Sequence, residues 1–324
     1  MQVHPSLYAP LVQARSPSAD LLKLAESSPC NPASGSATVL HLSSDLALPG
    51  SPQQGWFPVP LQDASDSIQW SIIVPAHNEA ARILPYLRSI TSYMRDRGQP
   101  YEVIVVDDGS TDATASVVET AASSAPEIQL LRTPLRRGKG AAVRRGMQAA
   151  VGRLQLFADA DGATPIQELA RLEQAVASGA DLAIGSRALA SRLPDYAVRT
   201  RFYRTIMSDL FNSIVRQSSL RGITDTQCGF KLFRQAVAAD LFRITVIDGY
   251  SFDLELLYVA QQRGYRIAEV PVNWSHQPGS KFRILRDGLA MLCELTVIRR
   301  NRAKGYYASP ASASNFHPAT DRRA

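Results

Sequence analysis

Residues 102–112 read EVIVVDDGSTD, and this stretch decides the fold class. The apolar, mostly β-branched run over Glu102–Val106 predicts a buried strand, which stops at the turn sequence DDG. Ser110 or Thr111 then stands where a helix would begin, and we expect one of them to cap a helix that runs to Ala122. A strand, a polar turn and a capped helix in this order are typical of a parallel α/β sheet.

The alternation of strand and helix signals continues on both sides of this stretch. Further strands are predicted at Ser71–Val74, Ile128–Leu131, Leu154–Ala158 and Asp181–Ile184, and helices at Asn78–Arg97, around Ala141–Val151 and from Thr164 onward. The order predicts an α/β fold with a mostly parallel central sheet flanked by helices. Four strands end in polar clusters, at Pro75–Glu79, Asp107–Asp112, Asp159–Gly162 and residues 185–187. Because ligands bind beyond the carboxyl ends of such strands, we expect these clusters to form one site.

Composition limits the class of protein. The chain has 324 residues, 45% of them hydrophobic, which is enough for one large domain or two small ones. Its net charge of +6 favours an anionic partner without choosing among nucleic acid, phosphorylated substrates and membrane surfaces. Three scattered cysteines, at positions 30, 228 and 293, argue against a disulfide framework or a zinc site. The same cysteine pattern favours a reducing cytosol. With no apolar run near the ~18 residues of a membrane span, we expect a protein that at most lies on a membrane surface.

The two ends of the chain differ from its middle. Residues 1–69 are rich in proline and serine, as are residues 305–324 in serine and alanine. Such segments cannot bury enough apolar surface to offset the entropy cost of ordering them, so we predict that both are largely disordered. A single domain is predicted between them, at residues 70–304.

Asp159 and Asp161 follow the predicted strand Leu154–Ala158. Side chains two residues apart in an extended segment point to the same side, so these carboxylates can share a hard divalent cation, Mg²⁺ or Mn²⁺. The alternative is a turn whose aspartates cap the next helix, but Thr164 already offers that cap. The turn at residues 107–112 holds three aspartates, more than one cap can use, so at least one is predicted to bind a ligand such as a base or a ribose.

Basic residues cluster in three places. Residues 132–153 contain seven of them and no acidic residue, and the RRGKG sequence before a predicted helix is suited to a phosphate. The spacing is not that of a P-loop. A second arginine cluster runs from Arg187 to Arg204. The third, within residues 281–304, brackets an apolar stripe with helical spacing, which predicts either a core-packing helix or an interfacial helix on anionic lipid.

The motifs IVPAHNE at 73–79, VDDGSTD at 106–112 and DADG at 159–162 resemble those of glycosyltransferase family 2. Within that family, RGKGAAVR at 137–144 and DTQCGFKLF at 225–233 are similar to the dolichyl-phosphate glucosyltransferase branch. The resemblance covers residues 70 to 304. It implies a GT-A fold, a nucleotide-sugar donor with UDP-glucose favoured, Mg²⁺ or Mn²⁺ as cofactor, and inversion at the anomeric carbon.

The resemblance also implies roles for individual residues. The nucleoside would be bound by Pro75, Glu79, Asp107 and Asp108, and the metal and diphosphate by Asp159 and Asp161. Phosphate would be bound by Arg187, Arg204 and Ser208. Asp225 would lie beside the reaction centre, and Ser280 with Lys281 in a closing loop that serves the acceptor phosphate. Lys139 of the basic segment, or Arg187, is expected to help the metal on Asp161 stabilise the departing diphosphate.

The acceptor determines whether a base is needed. A polyprenyl phosphate is already anionic and needs none, and the arginine-rich second half favours it. A hydroxyl acceptor would require a general base, for which Asp225 and Asp253 are the candidates. A catalytically silent nucleotide-sugar-binding protein is a further alternative. Nucleic-acid binding is not favoured, since the basic clusters lack interleaved aromatic residues. For a lipid acceptor, peripheral membrane association through residues 281–304 is expected.

Overall fold

The structure, a computed structural model, describes residues 68–199, 222–277 and 284–308. The predictions for residues 1–67 and 309–324 lie outside the described residues. The same holds for four candidate phosphate ligands, Arg204, Ser208, Ser280 and Lys281.

A seven-stranded sheet forms the centre of the described part. The described residues form these strands, of which all but β6 and β9 belong to the sheet: β1 Trp70–Ala76, β2 Tyr101–Asp108, β3 Ile128–Thr133, β4 Leu154–Ala158, β5 Leu182–Ser186, β6 Val198–Arg199, β7 Phe230–Arg234, β8 Ile267–Pro271 and β9 Trp274–Ser275. The sheet order is β3-β2-β1-β4-β7-β5-β8, and β6 pairs separately with β9. Only β7 among the seven runs antiparallel to its neighbours. The predicted mostly parallel α/β sheet is confirmed.

Helices cover both faces of this sheet. They are α1 Ile83–Arg97, α2 Thr114–Ser124, α3 Lys139–Ala149, α4 Leu169–Ala177, α5 Arg187–Ala190, α6 Gln235–Ile244, α7 Phe252–Gln262 and α8 Ile284–Ala303, with a 3₁₀ turn at Ile166–Glu168. Alternate residues of β1 enter different cores: Ile73 packs with residues of α3 and α7, and Ile72 with residues of α1 and α4. Burial on both faces explains why the strands read as continuous apolar runs.

Two helix starts were predicted too early. The first helix begins at Ile83 rather than Asn78, because Asn78 has a left-handed backbone with φ of 56°. The second begins at Thr114, whose N–H donates to the Asp112 carboxylate at 3.0 Å. The Ser110 hydroxyl, a predicted cap, instead accepts a hydrogen bond from the Asn78 N–H. The hydroxyl of Thr111, the other predicted cap, donates to the Asn78 side chain at 3.3 Å, so neither predicted residue caps the helix.

The C-terminal helix packs against the domain. Leu295 and Ile298, two members of the apolar stripe, are buried in the core that also contains α7. At these positions the interfacial-helix prediction is wrong, and the core-packing alternative is confirmed. Tyr307 is also buried, and its hydroxyl donates to Glu255 at 2.7 Å, so packing extends three residues beyond the predicted boundary at 304. None of the described helices combines the length and apolar character needed to cross a bilayer.

Candidate active site

A pocket opens at the carboxyl edge of the sheet, where the chain order reverses between β1 and β4. Such a switch point is the expected ligand site of an open α/β sheet. Six of the predicted residues line it, namely Pro75, Glu79, Asp108, Lys139, Asp159 and Asp161, together with His77, Arg136 and Tyr250 among others. The structure thus brings these six together, while their individual roles stay predictions. Asp107 is buried and is not part of the lining.

Lys139 and the two aspartates after β4 form the charged floor of this pocket. The Lys139 Nζ lies 2.6 Å from Asp159 Oδ1. Burial alone would lower the pKa of Lys139, but the charges of Asp159 and Asp253 outweigh it and raise that pKa, so the amine stays protonated. Asp161 is in the opposite situation. Burial, together with the negative charge of Asp159, raises the pKa of its carboxyl.

Burial and the nearby charge of Asp159 both disfavour the ionised form of Asp161, in spite of the positive charge of Lys139. A hard divalent cation would favour that ionised form, and the oxygen donors present are those that Mg²⁺ and Mn²⁺ accept. Among the described residues, no group of three acidic, histidine or cysteine side chains could enclose a metal ion. From the described residues, a metal ion would therefore take the carboxylates of Asp159 and Asp161. Mg²⁺ usually keeps several water and substrate oxygens as further ligands.

The three aspartates of the 107–112 turn all have partners within the chain. Asp108 accepts the N–H groups of Arg137 and Gly138, each at 2.8 Å, and Asp112 accepts that of Thr114. Asp107 accepts the Ser110 N–H at 3.2 Å. None of the three is therefore without a partner, and the basic loop takes up Asp108. A carboxylate offers about four acceptor sites, so Asp108 can still bind a ligand in the pocket.

The start of α3 is occupied by the chain itself. The N–H groups of Gly140 and Ala141 donate to the carbonyl oxygen of Asp248, at 2.8 and 3.3 Å. Arg144, another basic residue of the 132–153 segment, forms an ion pair with the Asp248 carboxylate. The N–H groups of Gly140 and Ala141 therefore do not serve a phosphate, and the suitability of the RRGKG segment for one stays a prediction that rests on its side chains. From this segment, the Lys139 side chain lies in the pocket instead.

Asp225 and Arg187 lie at the carboxyl edge two strands from β4, outside the pocket lining. The Asp225 carboxylate accepts from Nε and Nη2 of Arg187 at 2.7 and 2.8 Å, and from the Arg187 N–H at 2.9 Å. Burial alone would raise the pKa of Asp225, but the guanidinium outweighs it and holds that pKa below its usual range. The Arg187 guanidinium also lies 5.6 Å from the ring centre of Trp274.

The second predicted base, Asp253, is buried under the site. Its Oδ1 lies 2.5 Å from Nζ of Lys231, a lysine with no exposed surface. The Lys231 ammonium also donates to the Cys228 carbonyl at 2.6 Å. A carboxylate so enclosed does not reach a substrate, so its assignment as a base was wrong. Sequence patterns gave no signal for this pair. Burial raises the pKa of the nearby Cys228 thiol to about 12, so this side chain acts in packing rather than as a nucleophile.

Comparison with known proteins now identifies the family. The model of Glycosyl transferase family 2 matches residues 71–242, which include all but the first residue of β1, the strands β2 to β4, the aspartates of the pocket and Asp225. The chain belongs to this family. The resemblance drawn from the motifs is thereby confirmed.

Two relatives match over most of their length. A Drosophila melanogaster protein is 41% identical over 253 residues, which cover 74% of this chain and 77% of the relative. A Saccharomyces cerevisiae protein is 33% identical and covers 75% and 77%. Both are named dolichyl-phosphate beta-glucosyltransferase.

A solved structure confirms the GT-A fold of this family member. Glucosyl-3-phosphoglycerate synthase from Mycobacterium tuberculosis, in complex with Mn²⁺, UDP and glucosyl-3-phosphoglycerate, aligns with a TM-score of 0.55. The alignment covers 79% of this chain and 87% of that protein, at 21% identity. At this identity the likeness concerns the fold alone.

Proposed function

We propose that this protein transfers glucose from UDP-glucose to dolichyl phosphate or a related polyprenyl phosphate, with inversion at the anomeric carbon. The observation that carries the proposal is that both carboxylates considered as general bases, Asp225 and Asp253, are tied up in ion pairs within the protein. Asp225 is held by Arg187 and Asp253 by Lys231. A hydroxyl acceptor needs a base, whereas a phosphate acceptor is already anionic. The names of the relatives, carried over here, support the same acceptor and sugar.

In this proposal the residues of the chain divide the work between the two substrates. The pocket at the β1–β4 switch point holds the nucleotide, and Lys139 places a positive charge beside its diphosphate. Arg187, oriented by Asp225, supplies a second cation towards the acceptor side. Asp159 and Asp161 would hold Mg²⁺ or Mn²⁺, which stabilises the negative charge of the departing diphosphate when bound.

The test uses the full chain, Mn²⁺ or Mg²⁺, labelled UDP-glucose and a short polyprenyl phosphate. Label that passes into the organic phase, and is lost in Asp161→Asn, is the expected result. Asp181→Asn is the matched control, because this aspartate pairs with Arg266 at the opposite edge of the sheet. Hydrolysis of the donor without lipid product would instead support a hydroxyl acceptor. Metal-dependent UDP binding without any turnover would support the silent binding protein.

We also propose that the protein works in the cytoplasm, on the surface of a membrane, because its acceptor is a lipid. Arg299, Arg300 and Lys304, at the end of α8 and just after it, are exposed and suited to anionic headgroups. Co-sedimentation with anionic vesicles should therefore fall as salt is raised. Binding that does not depend on lipid charge would contradict the proposal.

A further inference from the structure

Glu269 of β8 holds the backbone that leads into β7. Its carboxylate accepts the N–H of Thr224 at 2.9 Å, the hydroxyl of Thr224 at 2.6 Å and the N–H of Asp225 at 2.8 Å. Hydrogen bonds to an ionised acceptor are about twice as strong as those between neutral groups. Three such bonds to one side chain fix the position of residues 224 and 225 in this loop.

The backbone fixed by Glu269 carries the carboxylate that orients Arg187. Asp225 makes three hydrogen bonds to Arg187, two of them to the guanidinium. Glu269 lies on β8, which pairs with β5, so that Ile184 stands opposite Glu269. Arg187 follows directly after β5. A short connected chain of contacts therefore runs from Glu269 through Asp225 to the guanidinium.

We propose that Glu269 is a positioning residue of the transfer reaction, which holds the Asp225–Arg187 pair in its working orientation. Glu269 is not part of the pocket lining, and it acts through Asp225 rather than on a substrate. The inference rests on the proposed function, in which Arg187 acts on a phosphate group. It adds to that function the residue that determines where this cation stands.

The substitution Glu269→Gln tests this with almost no change in shape. One carboxylate oxygen becomes an amide NH₂, which would face N–H and O–H donors instead of accepting from them. At least one of the three hydrogen bonds is then lost, and residues 224–225 must shift. A displacement near 1 Å at a reacting group costs roughly 100-fold in rate. We expect kcat to fall about 10- to 100-fold, with the KM for UDP-glucose nearly unchanged because the donor pocket is lined by other residues.

Glu102→Gln is the matched control. Glu102 is a buried carboxylate that accepts the Ser71 hydroxyl at 2.5 Å and the Val151 N–H at 2.9 Å, at the amino edge of the sheet. The substitution is chemically the same, and Glu102 likewise accepts a hydroxyl and a backbone N–H, but it lies at the edge of the sheet opposite Arg187. We expect it to lower the melting temperature with kcat within about twofold of wild type. Equal effects of the two substitutions on kcat would overturn the proposal.

A double-mutant cycle separates positioning from general support. If Glu269 acts only through Arg187, Glu269→Gln should reduce kcat in the wild-type background and have no further effect in an Arg187→Ala background. An equal further loss in the Arg187→Ala background would overturn the proposal, because Glu269 would then act by another route.

A substrate-free measurement distinguishes failure of this inference from failure of the proposed function. The NMR signal of the Arg187 Nε–H reports its hydrogen bond to Asp225 whether or not a lipid product forms. We expect this signal to shift or broaden in Glu269→Gln and to remain in place in Glu102→Gln. An unchanged signal in Glu269→Gln overturns the inference. Absence of lipid product from the wild-type protein, with the signal behaving as expected, counts against the proposed acceptor alone.

Discussion

Gly229 is a position where one added methyl group should disable the site and leave the fold intact. A Cβ built there would lie 2.0 Å from Asp159 Oδ2 and 2.2 Å from its Cγ, and its three nearest atoms all belong to the Asp159 side chain. Real Cβ atoms do not approach other heavy atoms closer than 3.0 Å. In Gly229→Ala the Asp159 carboxylate must therefore retreat by about 1 Å, the displacement that typically costs a reacting group about 100-fold.

The effect on rate and the effect on stability should separate. The retreat breaks the 2.6 Å contact between Asp159 and Lys139 and removes a carboxylate from the candidate metal site. A 100-fold loss in kcat corresponds to about 2.7 kcal/mol of transition-state free energy. Stability should change by less than about 1 kcal/mol, because an ion pair with side chains 23% and 34% exposed contributes little and alanine lowers the entropy of the unfolded chain.

The assay measures kcat and the Mn²⁺ concentration at half-maximal rate, with urea unfolding alongside. Gly264→Ala is the control, since its φ of 74° is unfavourable for alanine but nothing lies within 4 Å of the added atom, at the amino edge of the sheet. It should lose stability and keep its rate, the reverse of Gly229→Ala. A Gly229→Ala protein with wild-type kcat and metal dependence would refute the placement of Asp159.

Three further predictions follow from the charges. Asp161→Asn should raise the melting temperature of the metal-free protein at pH 7.5, because a folded-state pKa above the unfolded value means that the ionised carboxylate destabilises the fold. The same substitution should abolish the rise in melting temperature that Mn²⁺ causes, because it removes a candidate metal ligand. A metal-free melting temperature equal to or below that of wild type would contradict the first expectation. For Asp225 the folded pKa is lowered, so its contribution is present above the unfolded pKa of about 3.9 and is lost as pH falls through the lower folded pKa. The stability difference between wild type and Asp225→Asn should thus be constant from pH 8 to about 5 and shrink below about 4 in urea titrations, and a difference that already shrinks at pH 6 would be evidence against the ion pair. Tyr307→Phe, which removes the donor to Glu255, should cost about 1 to 1.5 kcal/mol in unfolding free energy with kcat unchanged, and no loss of stability would show that the residue is not packed as described.

Local sequence patterns were sufficient for the parallel strands and for the pocket they form. The runs at Ser71–Val74 and Glu102–Val106 are buried on both faces, so they stand out as apolar whatever surrounds them. The polar residues that follow them needed only the rule about carboxyl ends to be placed together. Pro75, Asp108 and Asp161 lie in the pocket for that reason.

The partners of the charged residues could not be predicted in this way. The Asp248 carbonyl occupies the start of α3 from more than 100 positions away, and Lys231 pairs with Asp253 from the next helix but one. Such contacts depend on how elements pack, which no spacing rule encodes. Asp225 is an example. The residues around it in the sequence are equally compatible with a general base and with an ion-pair partner, and the position of Arg187 in the fold decides for the ion pair.

The place of β7 has a consequence for the order in which the domain can be completed during synthesis. β4 and β5 are joined in the sheet only through β7, which is made roughly 75 residues after β4. At the usual 5 to 20 residues per second, β4 would keep an open edge for about 4 to 15 s after it emerges from the ribosome. Open edges are templates for wrong pairing with other chains. Newly made chains that stall before Phe230 should therefore be the aggregation-prone form of this protein, and those that pass Arg234 should not.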